Sequence, residues 1–196
     1  MESAKNICVY CGSSNNASDE FKSAASNLGK ILAENDIGLV YGGGQVGLMG
    51  VVADSVMKHG GHTTGFIPQH LHETEVGHKG ISELVIVNTM HERKRLMYER
   101  SDAFVVLAGG FGTLDEICEI LTWKQLRLHN KPIIFIDTNK YWSPLFDTFV
   151  ANMIKETFVR PEHREFYKII PSPDSLLDTL NEMPLDTGPD LVSRWW

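Results

Sequence analysis

Short apolar runs alternate with amphipathic stretches along most of the chain. The runs 5–10, 37–41, 63–67, 83–87, 103–107, 133–137 and 167–170 are four to six residues long. Continuous apolar runs of that length predict strands of a parallel sheet buried on both faces. Between them the spacing predicts helices over 18–35, from 47 to the stop at Gly60-Gly61, over 90–100 and 113–128, from 141 to 156, and from 174. In the first helix Phe21, Ala24, Ala25, Leu28, Ile31 and Leu32 share one face. The stretch 69–80 has no apolar periodicity and reads as a mobile loop, and the tail 183–196 reads as irregular. Regular strand–helix alternation predicts one α/β domain over 1–182, with a Rossmann-like, doubly wound parallel sheet and helices on both faces. Ligands of such sheets bind at the carboxyl ends of the strands.

Composition narrows the function classes. With 196 residues the chain can bury a sizeable single core. The net charge of −7 argues against general affinity for nucleic acid or anionic membranes, while leaving room for a local basic site. No apolar run approaches the ~20 residues of a membrane helix, and the polar opening segment does not read as a signal peptide. Three cysteines form no disulfide framework, so reducing cytoplasm is the expected compartment. Cys8 and Cys11 make a C-x-x-C spacing, but within a strand they face opposite sides and read as core.

The candidate chemistry is concentrated at 107–116. Gly109, Gly110 and Gly112 fall between a strand and a helix with apolar positions at Leu114, Ile117, Cys118 and Leu121. A glycine turn lets backbone approach a ligand, and the helix N-terminus favours a phosphate. Glu116 is expected in the first helical turn. Thr113-x-x-Glu116 also matches a capping box, in which Glu116 would only satisfy backbone N–H groups. Gly42-x-Gly44-x-x-Gly47 follows another strand, but the next strand ends Phe66-Ile67-Pro68 without the acidic residue of a dinucleotide site. That turn can serve a phosphate or ribose, or simply allow close helix–strand packing. On the helix at 90, Met90, Arg93, Leu96 and Met97 share a face, so Arg93 is a charge in an apolar stripe. Lys94 and Arg95 read as solvated. Five of the eight histidines lie between His59 and His78 without an acidic or cysteine complement, so no metal site is expected. Trp123, Trp195 and Trp196 read as packing or interface residues.

Together these segments resemble the LOG (LONELY GUY) family of cytokinin-activating phosphoribohydrolases, once widely labelled lysine decarboxylases. The matching pieces are Cys11-Gly12-Ser13-Ser14, Tyr41-Gly42-Gly43-Gly44 with Gly47-Leu48-Met49-Gly50, and Met90-His91-Glu92-Arg93-Lys94. Gly109 to Glu116, Thr122-Trp123-Lys124-Gln125-Leu126 and His129-Asn130-Lys131-Pro132 complete the set. The resemblance implies hydrolysis of the N-glycosidic bond of a nucleoside 5′-monophosphate, without metal or organic cofactor, by a homodimer. It implies Arg93 and Glu116 as catalytic. Candidate substrate-binding residues are Gly109, Gly110, Phe111, Gly112, Thr113, Leu114, Asp115 and Glu116, with Arg93, Lys94, Met90, Ser13, Gly43, Gly44, Thr122 and Glu75. Arg93 is expected to orient the nucleotide and to hold Glu116 ionised. Two positions depart from the family's pattern: Ala108 replaces its usual Pro, and Asp115 a common Glu. Competing readings are a non-catalytic nucleotide-binding or carrier protein, a general AMP nucleosidase in salvage, and the historical decarboxylase, which needs a lysine for pyridoxal phosphate.

Overall fold

The computed structural model describes residues 4–74 and 77–183. Its strands are β1 (Asn6–Tyr10), β2 (Gly38–Tyr41), β3 (Thr63–Pro68), β4 (Glu83–Val87), β5 (Ala103–Val106), β6 (Ile133–Ile136) and β7 (Lys168–Ile170). They pair in parallel in the order β4-β3-β2-β1-β5-β6-β7. The helices are α1 (Asp19–Glu34), α2 (Gly47–Lys58), α3 (Gln69–Thr74), α4 (Met90–Glu99), α5 (Phe111–Gln125), α6 (Ser143–Lys155) and α7 (Leu176–Glu182). The chain builds outward from β1 to β4, then returns to the other side of β1 with β5. That reversal opens a crevice at the carboxyl ends of β1 and β5.

Strand periodicity decides what each helix layer meets. Ile7, Val9 and Cys11 point to one face, where Leu28 of α1, Val52 of α2 and Leu180 of α7 cover them. Cys8 and Tyr10 point to the other, against Met97 of α4, Ile117 of α5 and Phe146 of α6. The two cysteines of the C-x-x-C spacing are thus buried on opposite faces, and burial raises both thiol pKa values. Neither is a ready thiolate.

Two expectations about connections are settled here. The stretch 69–80 is not simply a mobile loop: Gln69–Thr74 is a helix, Gly77 pairs with Gly44, and the His78 N–H donates to the Gly43 carbonyl at 3.0 Å. A six-residue helix is too short to show a 3.6-residue period. At the glycine turn before α2, Gly47 has φ +61°, and its N–H donates to Asn15 Oδ1 at 2.8 Å. The Leu48 N–H donates to the Gly12 carbonyl at 3.0 Å. A side chain at Gly47 would strike the Ser13–Ser14 backbone. The first amides of α2 are therefore spent on the β1–α1 loop, and close packing is the reading realised at Gly47.

Candidate active site

The glycine loop leaves β5 tied to β1. The Leu107 N–H donates to the Tyr10 carbonyl at 3.0 Å, and the Gly12 N–H to the Ala108 carbonyl at 2.9 Å. Gly110, in extended conformation, caps α5 without a side chain. A Cβ at Gly110 or Gly112 would meet nothing within 4 Å, and Phe111 is 92% exposed, so the loop faces open space. The N–H groups of Phe111, Gly112 and Thr113 belong to the first turn and have no intrahelical acceptor. Beside them a cleft of about 440 Å³ is lined by Ser13, Ser14, Ser18, Phe21, Gly109, Gly110 and Tyr141, among others. It occupies the crevice between β1 and β5.

The helix start changes the reading of Glu116. Because α5 begins at Phe111, Thr113 is already inside the helix, and Glu116 is its sixth residue rather than a member of the first turn. A Thr side-chain cap is found instead at another Thr-x-x-Glu, whose Glu reaches back one residue past the N-cap. The Glu92 N–H donates to Thr89 Oγ1 at 3.0 Å, while Glu92 Oε2 accepts from the Asn88 N–H at 2.8 Å at the start of α4. The buried stripe of α5 is also rotated from the expected one. It consists of Thr113, Glu116, Ile117, Ile120 and Lys124, whereas Leu114 and Leu121 are half-buried and Cys118 is exposed.

That rotation turns Glu116 inward, towards α4. Arg93 Nη2 stands 3.5 Å from Glu116 Oε1, with only 11% and 9% of the two side chains exposed. The guanidinium rests against Gly42 at the end of β2, where any Cβ would overlap it. Arg93 Nε is buried with no hydrogen-bond partner among the described residues. Burial pushes the Glu116 pKa up to about 7, although the Arg93 charge pulls it down. Arg93 was expected to hold Glu116 ionised; desolvation outweighs it, and the carboxyl titrates near neutrality. The charges of Glu116 and Arg93 also act, with opposite sign, on the buried thiols of Cys8 and Cys11.

Lys94 is not the solvated lysine expected. It is buried, with Nζ 3.1 Å from Asp115 Oδ2 and 3.2 Å from Glu119 Oε1. Burial lowers its pKa, but the two carboxylates win and the net shift is upward. It stays protonated and braces α4 against α5.

The other candidate positions divide. Ser13, Gly109 and Gly110 line the cleft. Thr113 folds back over Gly109, where a Cβ would clash with it. Met90 is exposed, its sulfur 3.8 Å from Arg93 Nη1. Gly43 and Gly44 are buried under the segment at 77–78, away from open space. Thr122 is exposed six residues beyond Glu116, roughly 9 Å along the helix, and donates to the Cys118 carbonyl. Glu75, Trp195 and Trp196 lie outside the described residues, as does the tail beyond Met183. His78 is engaged by Asp54, at 2.9 Å, and by the Gly80 N–H. Sequence reasoning missed Tyr141, whose hydroxyl donates to the Gly109 carbonyl at 2.7 Å. Its position just after a strand's carboxyl end was the available signal.

The family profile described as "Possible lysine decarboxylase" matches residues 49–180. A probable cytokinin riboside 5′-monophosphate phosphoribohydrolase of Oryza sativa subsp. japonica is 40% identical over 178 residues, covering 91% of this chain and 72% of the relative. A cytokinin riboside 5′-monophosphate phosphoribohydrolase of Arabidopsis thaliana is 37% identical over 192 residues, covering 97% and 84%. The chain belongs to the LOG family. Among solved structures, the molybdenum cofactor binding protein of Rippkaea orientalis superposes with a TM-score of 0.69 at 21% identity. That match covers 90% of this chain and 95% of the other, and it shows the fold alone.

The older decarboxylase label for LOG proteins can be tested on the lysines. A Schiff-base lysine must reach a neutral, nucleophilic state. Buried Lys94 is held protonated by Asp115 and Glu119, and buried Lys124 donates to the Lys131 carbonyl at 2.8 Å. Neither fits pyridoxal phosphate.

Proposed function

We propose that this LOG-family chain hydrolyses the N-glycosidic bond of a cytokinin riboside 5′-monophosphate, an N6-substituted AMP, to free base and ribose 5-phosphate. The observation that carries the reading is the buried Arg93–Glu116 pair, with a carboxyl near pH 7, beside an open glycine loop. The named relatives give the substrate class. In this reading the loop amides from Gly110 to Thr113 hold the 5′-phosphate, helped by the α5 dipole. Arg93 orients the nucleotide, whose oxygens give Nε its missing partner. As the C1′–N bond breaks, positive charge builds on the ribose, and the Glu116 carboxylate stabilises it more than it stabilises the ground state. A water oxygen bonds to C1′, and its proton, accepted by Glu116, ends on the departing base. The homodimer and the reducing cytoplasm belong to the same proposal. Exposed Met90 and Phe111 beside the site and the free thiol of Cys118 support them.

A carrier protein on this fold would need the phosphate loop but not a carboxyl poised near neutrality. Comparing a nucleotide with its nucleoside tests the phosphate site. Removing the 5′-phosphate is expected to lower kcat/KM by about a hundredfold or more, since remote binding contributes to the chemical step. Equal cleavage of nucleoside and nucleotide, followed by release of free base, would remove the loop from the account.

A further inference from the structure

We infer that Tyr141 is a positioning residue that sets the phosphate loop, an inference that rests on the proposed nucleotide site. Three glycines in four residues give this loop little conformational restraint of its own. Ala108 at its start adds no ring restraint to the backbone. The Tyr141 hydroxyl, which shares the lining of the cleft with Gly109 and Gly110, donates to the Gly109 carbonyl at 2.7 Å. A trans peptide is planar, with its C=O and N–H on opposite sides. Holding the Gly109 oxygen towards Tyr141 therefore turns the Gly110 N–H the other way. One hydroxyl fixes the first donor of the cradle without touching the phosphate.

The chain invests in placing this tyrosine. Asn139 and Lys140, just before it, both have left-handed backbone, with φ of 55° and 56°. Residues with side chains rarely adopt that conformation, and they do so where the surroundings enforce it. The enforcement is visible. Asp137 Oδ1 accepts from the N–H groups of Trp142 at 2.7 Å and Ser143 at 3.0 Å, and the Lys140 N–H donates to the Asp137 carbonyl at 3.0 Å. Trp142 is buried, and its ring meets that of Tyr141 edge-on at 4.9 Å. Phe21 of α1 meets Tyr141 edge-on from the other side, at 5.6 Å. The ring is clamped between two aromatics so that its hydroxyl reaches one carbonyl.

Tyr141→Phe keeps the clamped ring and deletes only the hydroxyl. Calorimetric titration of the full chain with ribose 5-phosphate and with adenosine separates the possibilities. The variant is expected to bind ribose 5-phosphate roughly fivefold more weakly, the size of one net hydrogen bond. Its affinity for adenosine, which lacks the phosphate, stays unchanged, and its unfolding midpoint falls by only about 2–4 °C, the loss of that one bond. Unchanged affinity for ribose 5-phosphate would overturn the role of Tyr141 and leave the nucleotide site standing. Equal weakening for both ligands would show a general structural role and overturn it as well. A wild-type chain that binds no ribose 5-phosphate would overturn the site itself, and the inference with it.

Discussion

Glu116→Gln is expected to lower kcat/KM for the nucleotide by about a thousandfold while making the folded protein more stable above neutral pH. The amide copies the shape of the protonated carboxyl but cannot carry the charge that faces the oxocarbenium-like ribose. The stability gain follows from the same burial. The folded-state pKa of about 7 lies above the ordinary carboxyl value of 4.5, so folding takes up a proton between those pH values. Wild-type stability therefore declines as pH rises from about 4.5 to about 7, by something on the order of 1–3 kcal/mol. Glutamine removes that loss. At pH 8 the variant should melt several degrees higher than wild type, and its residual activity should lack the rise through pH 7 that is expected of wild-type kcat/KM. Wild-type turnover in the variant would contradict the assignment.

The second large effect is expected at a residue outside the reacting pair. Gly42 directly follows β2, and the Arg93 guanidinium occupies the space where its side chain would be. Gly42→Ala should push the guanidinium off Glu116. The obstructing atoms are the far end of a flexible arginine, so the fold should survive with a midpoint change of a few degrees at most. Activity should fall by about a hundredfold, because small displacements of a positioning group are costly. Without the Arg93 charge nearby, the Glu116 pKa should rise further, moving the midpoint of kcat/KM upward. Steady-state kinetics against pH, paired with thermal unfolding, checks both halves. Full activity with an unshifted profile would show that Gly42 serves packing alone.

The Gly42 case illustrates what the sequence made legible. The strands could be read closely because parallel strands buried on both faces are continuous apolar runs, and their boundaries fell within about two residues. Arg93 and Glu116 stood out through charge pattern and resemblance. Their meeting was not legible from spacing, since they lie on different helices and converge only through the sheet. The start of α5 was misread for a physical reason. Its cap is Gly110, which carries no side-chain signal, while Thr113 and Glu116 imitate one. Lys94 looked solvated because its partners, Asp115 and Glu119, stand on the next helix but one strand away. The seat of Arg93 at Gly42 was hidden inside a glycine fingerprint that suggests phosphate binding. Here one of those glycines makes room for a guanidinium, and another, Gly47, for the β1–α1 loop.

Whether this site breaks a ribosyl C–N bond is decided by product analysis. The full chain is incubated with N6-prenylated AMP and, separately, with AMP, and the mixtures are resolved by chromatography. Free base and ribose 5-phosphate are expected in equal amounts from at least the N6-substituted nucleotide. Nucleotide recovered intact after long incubation, although bound by the protein, would contradict the proposed hydrolysis.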